Sequence, residues 1–226
     1  YFVVGVFAAA LMPYEVHFYS SGAVEEGWDE SSLKENRMNA VIGYALGGVL
    51  ACALVVVSGY LFHPVGVDPG DLGTVALPAQ GAYGETGLLL ALGGMMFCVG
   101  GAAVDSSFSA SYNLAQFLGW EWGRYRGPKK APRFTVSWLI FLFLAMLIVL
   151  TGINPVEITE YSVVFAVVAL PMTYLPILMI AGDRSFMGEH VNGRFSSLLG
   201  WLYFALIVVL AIAAVPLLLA TNGGGG

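Results

Sequence analysis

Apolar residues run along this chain in six long blocks: Tyr1–Val24, Asn39–Phe62, Gly87–Leu118, Phe134–Ile153, Tyr161–Ala181 and Leu198–Ala220. Five polar connections separate them. A helix rises 1.5 Å per residue, so roughly 20 residues cross the hydrocarbon core of a bilayer, and each block is long enough to do so. The pattern predicts about six membrane-spanning helices, forming a single transmembrane domain over residues 1–222 with a flexible glycine tail over 223–226.

The blocks are not uniform. The first carries Met12-Pro13 and then Glu15 and His17 at a depth where a plain span would hold leucine. Proline removes a backbone donor and interrupts the helical ladder. Unwound backbone at membrane depth survives only where it is buried in protein or lines a cavity. The third block ends in Asp105, Ser106, Ser107, Ser109, Ser111, Asn113 and Gln116, a polar half unsuited to lipid. The fifth contains Pro171 and Pro176, and the sixth Pro216. These are features of a transport pathway more than of a simple anchor.

Composition agrees with the pattern. Of 226 residues, 58% are hydrophobic and 11% charged, with a mean hydropathy of +0.79; a soluble domain has about 25% charged residues. The net charge of −6 argues against a nucleic-acid partner, which would call for a basic face. Cys52 and Cys98 lie inside apolar blocks and are expected to be buried and inert. There is no nucleophile–base pair or metalloprotease motif, so an enzyme is not expected. The chain opens at Tyr1 directly in apolar sequence, and an upstream portion is expected to precede it.

Charge placement sets an orientation. Lys34 and Arg37 lie in the first connection, Arg124, Arg126, Lys129, Lys130 and Arg133 in the third, and Arg184 and Arg194 in the fifth. The second and fourth connections contain no basic residue. If every block spans, the basic connections share one side, which the positive-inside rule makes cytoplasmic. Both ends would then be external. The Arg124–Arg133 cluster reads as a topology signal and an anionic-lipid contact.

Several residues in the first and third blocks could carry chemistry. An unwound helix frees carbonyls to hold a cation, and the Met12 thioether is a soft ligand suited to transition metals; packing is its alternative role. Glu15 would sit in the first turn after the break, favoured there by the helix dipole, or serve as a proton or cation site. His17 could relay protons or hydrogen-bond a neighbouring helix. Asp105 is a candidate cavity-lining acid, and the serines around it read as packing residues. Glu157 and Glu160 fall in a short external connection and are expected to be solvated.

At Ala9-x-x-Met12-Pro13 the sequence resembles the natural resistance-associated macrophage protein (NRAMP) family of manganese and iron transporters, whose sixth helix carries A-x-x-M-P-H. Three further stretches are similar to family segments in order. They are Ala102-Ala103-Val104-Asp105-Ser106-Ser107 through Gln116, Leu170-Pro171 with Pro176, and Asp183-Arg184-Ser185-Phe186-Met187-Gly188. The resemblance covers nearly the whole chain as helices six to eleven of a leucine-transporter-type inverted-repeat fold. It implies that the Ala9 carbonyl and the Met12 sulfur bind metal.

The sequence departs from the family in places. Tyr14 and Tyr19 stand where two histidines are expected, Asp105 replaces a glutamine, and Val163 lies near an expected glutamine ligand. The family's D-P-G-N helix is absent. Asp68-Pro69-Gly70-Asp71 mimics it, but in a polar connection where it reads as a turn.

The resemblance implies a secondary transporter of Mn²⁺ or Fe²⁺ in the plasma membrane, working by alternating access. The metal is cargo, and no cofactor is expected. Proton coupling would run through Glu15 or Asp105, and the upstream half would complete the metal site. A magnesium-selective relative and a carrier of organic, amino-acid-like substrates on the same fold are the alternatives.

Overall fold

The computed structural model describes residues 12–66 and 72–220. Among these residues there are helices and short 3-10 turns but no strand. Six long helices carry the chain: α1 (Pro13–Glu25), α2 (Leu33–Leu61), α3 (Leu77–Phe117), α4 (Pro132–Leu150), α5 (Pro155–Gly182) and α6 (Arg194–Ala220). The five from α2 to α6 are long and apolar enough to cross a membrane. They match the second to sixth apolar blocks, and the protein is an all-α, multi-pass integral membrane protein. Ala9, the Asp68–Asp71 turn and the glycine tail lie outside the described residues.

Local chemistry explains where these helices start and stop. Proline occupies the first turn of α1, α3, α4 and α5, where its missing N–H removes no helical bond. Asn154 caps α5 by accepting the Val156 N–H at 2.9 Å. That cap starts α5 six residues earlier than the apolar block. Glu157 and Glu160, expected in a connection, therefore stand exposed on its first turns. At the other end of α3, Gly119 (φ 66°) turns the chain so that the Trp120 N–H reaches the Ala115 carbonyl at 2.8 Å.

Helix α3 has 41 residues, about 60 Å of helix against a hydrocarbon core of roughly 30 Å. It is not one rod. Gly84 breaks it at φ 65°, ψ −153°, backbone that side chains with a Cβ avoid. A Cβ on Gly87 would lie 2.2 Å from the Ala79 carbonyl oxygen across that bend. The span thus begins where the apolar block does, and the polar second connection is itself partly helical, through Leu72–Val75 and the segment before Gly84.

Two clusters hold the helices together. Val163, Val164 and Val167 of α5 bury against Ala214 of α6, with Leu210, Ala211, Leu217 and Leu218 around them. Further along that pair, Tyr174 meets Tyr203 edge to face at 5.6 Å. The second cluster joins α3 to α4 through Tyr112, Ala115, Ala131 and Phe134. Its rings are close, with Tyr112 and Phe134 centroids 4.9 Å apart. Pro171, Pro176 and Pro216 sit inside α5 and α6 without ending them.

Helix α2 buries no residue, and its firmest packing is against the turns at its own ends. The two cysteines correct an expectation here: Cys52 on α2 and Cys98 on α3 are both exposed. In a lipid-embedded chain an apolar block does not mean burial in protein, because acyl chains can cover what water would not.

Candidate functional site

The site is built where α1 begins. Met12 is extended (φ −88°, ψ 134°), Pro13 opens the helix, and the Glu15 N–H donates to the Met12 carbonyl at 3.1 Å. Pro13 thus begins α1, and the preceding residues, on which the expected break depends, lie outside the described residues. Glu15 lies in the first turn of α1, where the positive end of the helix favours a carboxylate.

Met12 is partly buried against the cluster of Val163, Val164, Val167 and Ala214. Val163, near the position where the resemblance places a glutamine ligand, is thus a buried packing residue facing the same cluster as Met12.

Glu15 and Asp105 come together. Both line a cavity of 340 Å³ with Tyr14, Phe18, Tyr19, Phe97, Cys98, Gly101 and Ala102. Its lining residues follow helical spacing on each wall: 14, 15, 18 and 19 on α1, and 97, 98, 101, 102 and 105 on α3. The walls are pinned to each other by the Ser109 hydroxyl, which donates to the Tyr14 carbonyl at 2.8 Å. Two turns on, Gln116 Nε2 donates to the Ser21 hydroxyl at 2.8 Å. Ser107 instead bonds the Ala103 carbonyl of its own helix. Ser107, Ser109 and Ser111 are buried, Ser106 is half-buried, and Ser109 adds a cross-helix hydrogen bond.

His17 is not brought into this cavity. It is half-buried, and its carbonyl accepts the Ser20 hydroxyl at 3.1 Å. Among the described residues, no three His, Cys, Asp or Glu side chains converge where one ion could be held.

The far end of α1 is tied down by a polar network. Glu25 accepts the Tyr112 hydroxyl at 2.6 Å and the Tyr125 N–H at 2.8 Å. Glu26 pairs with Arg124 and accepts Tyr125 O–H at 3.1 Å and Trp28 Nε1–H at 2.9 Å. These bonds, the Tyr125 hydroxyl foremost and Arg124 among the others, hold the Glu26 carboxyl below its ordinary range. A Cβ on Gly123 would lie 2.8 Å from Glu25 Oε1, so only glycine lets the third connection come this near. Three of the five basic residues there have protein partners: Arg124 on Glu26, Arg126 on Glu121, and Arg133 over the Trp120 ring.

This network was not foreseen from sequence, because its partners lie 87 to 100 residues apart. A second missed group had a visible signal. Asn36, Asn39, Ala40, Gly43 and Tyr44 recur at helical spacing, a polar and small face on an otherwise apolar α2.

Comparison with known proteins identifies the family of the chain. The family description "Natural resistance-associated macrophage protein-like" matches residues 1–216. The chain is 25% identical over 224 residues to the "Divalent metal cation transporter MntH" of Deinococcus radiodurans, covering 93% of this chain and 48% of that protein. It is 25% identical over 223 residues to the protein of the same name from Clostridium acetobutylicum, and 22% over 221 residues to that of Bacillus subtilis. In each case the chain spans about half the length of the curated relative. With a family match over nearly its whole length, the chain belongs to the natural resistance-associated macrophage protein-like family.

Proposed function

We propose that this chain is part of a divalent-metal carrier that moves Mn²⁺ or Fe²⁺ across the plasma membrane by alternating access, with protons moving on Glu15 and Asp105. The observation that carries this reading is the pairing of those two carboxylates in one cavity beside the start of α1. Intramembrane acids are costly, and two in one cavity are best explained by a cationic cargo or by protons. The relatives' printed names, divalent metal cation transporters, support the same cargo. Met12 would add the soft donor that favours a transition metal over a hard ion. The remaining ligands would come from the Ala9 carbonyl and from helices upstream. The basic connections would face the cytoplasm.

One observation favours a second reading. Met12 packs against valines, which leaves oxygen donors as the described charged groups of the cavity, a set that also suits Mg²⁺.

The test uses the full-length protein in liposomes loaded with a pH-sensitive dye. External Mn²⁺ should enter and acidify the lumen, and Glu15→Gln or Asp105→Asn should abolish acidification while measurable Mn²⁺ flux remains. Mn²⁺ entry without acidification in the parent would refute coupling. Mg²⁺ entry with no Mn²⁺ or Fe²⁺ entry would refute the transition-metal cargo.

A further inference from the structure

The nine lysines and arginines of the chain all lie in the first, third and fifth connections, yet one cavity between the first and fifth is acidic. It measures 440 Å³, and its walls include Asp29, Glu30, Asn36, Met187 and His190. Among its described lining residues two are carboxylates and none is lysine or arginine. His190 Nε2 stands 3.2 Å from Glu30 Oε1, a contact between residues 160 apart in the chain. Met187, three residues before His190, ends the short helix Arg184–Met187. Gly188, at φ 54°, then turns the chain, and both Met187 and His190 line the cavity.

We infer that His190 and Glu30, with the Met187 thioether and water completing the set, form a site for a divalent transition-metal ion that joins the first connection to the fifth. It is separate from the Glu15–Asp105 cavity and does not depend on how that cavity is read.

The separation, the donor set and the local charge all suit an ion. Two neighbouring ligands about 2.1 Å from one ion, tetrahedral or octahedral, lie roughly 3.0–3.4 Å apart, so the imidazole and carboxylate could share one with little movement. A plain His–Glu hydrogen bond has the same length, but it has no use for a thioether on the same cavity. Imidazole and thioether are donors that favour transition metals over Mg²⁺ or Ca²⁺. Asp29 is committed elsewhere: its Oδ1 accepts the Ser31 N–H at 2.9 Å and the Ser31 hydroxyl at 2.6 Å. It therefore adds negative field without being a ligand. Both partners of the bare pair are exposed, at 52% and 82% for the His190 and Glu30 side chains, and such a pair contributes little by itself. An ion bonded to both would tie the connection after α1 to the connection after α5.

The test uses the purified full-length protein and Mn²⁺ alone as the probe. In a saturating titration by equilibrium dialysis, the parent should bind one Mn²⁺ more per chain than His190→Ala, and that ion should persist in excess Mg²⁺. Its electron spin-echo spectrum should carry the nitrogen modulation of a directly bound imidazole, absent from His190→Ala. Glu30→Gln, a milder change of shape, should bind this ion more weakly. The same ion should remain in Glu15→Gln with Asp105→Asn, so the fate of the carrier reading does not decide this one. Equal Mn²⁺ stoichiometry in the parent and His190→Ala would overturn the site. So would a parent spectrum unchanged by His190→Ala, or displacement of the ion by Mg²⁺.

Discussion

The Ser109 hydroxyl donates to the Tyr14 carbonyl at 2.8 Å, joining the two helices that carry the acids of the candidate site. Ser109 lies one turn beyond Asp105 on α3, and Tyr14 adjoins Glu15 on α1. Cross-helix hydrogen bonds in membranes contribute on the order of 0.6 kcal/mol. Ser109→Ala should therefore lower the melting temperature in detergent slightly and shift the proton dependence of transport. Ser107→Ala, which loses a bond only to its own helix, should leave the proton dependence as in the parent. Equal effects from the two variants would deny Ser109 its positioning role.

Tyr112→Phe removes the 2.6 Å bond to Glu25 and little volume. A hydrogen bond to a charged group contributes roughly 1.5–3 kcal/mol, so the variant should unfold measurably earlier in thermal scans of the purified protein. Glu25→Gln keeps one acceptor oxygen, for the Tyr125 amide, and its NH2 can donate to the Tyr112 oxygen, so it should lose less than Glu25→Ala. A Tyr112→Phe protein as stable as the parent would show that the α1 anchor lies elsewhere.

Acid should loosen the connections on the basic side. Glu26 is held below its ordinary range by the Tyr125 hydroxyl, with Trp28 and Arg124 assisting, and Asp183 by the Ser185 amide at 2.7 Å. A carboxyl depressed in the folded state stabilises the fold fully above its unfolded value. That contribution is lost as pH falls through the depressed one. Melting temperature should thus decline below the ordinary carboxylate range near 3.8 to 4.5, and Glu26→Gln with Asp183→Asn should flatten the decline. An unchanged slope in the double variant would contradict the assignment.

Orientation can be read by labelling. With Cys52 and Cys98 removed, a cysteine at Thr74 should react with an impermeant thiol reagent from outside intact cells, and one at Lys129 should not. The reverse pattern would invert the topology.

The elements were legible in the sequence because lipid imposes length and hydropathy directly on each span. Five apolar blocks became α2 to α6, and the helix start at Pro13 was visible from residue type alone. Boundaries shifted where capping outweighed hydropathy, as Asn154 shows by starting α5 ahead of its block. Burial was misjudged at Cys52 and Cys98, because an apolar block in a membrane does not say whether protein or lipid covers it. Glu15 and Asp105 were each recognised as out of place, but their meeting in one cavity was not, since a single sequence carries no record of which helices pair. The Glu25–Tyr112 and Glu26–Arg124 contacts were hidden for the same reason. The polar face of α2 was readable and went unread.

The central claim is that the chain is part of a transition-metal carrier, with Met12 as its proposed soft donor. Its most direct test is the ratio of Mn²⁺ to Ca²⁺ flux in liposomes containing the full-length protein, compared between parent and Met12→Ala. Replacing the thioether with a methyl should weaken Mn²⁺ transport and raise Ca²⁺ transport relative to it, because a hard ion gains little from sulfur. If both Mn²⁺ affinity and the Mn²⁺/Ca²⁺ ratio stay at the parent values, Met12 serves only to pack against Val163 and its neighbours, and the proposed metal site is wrong.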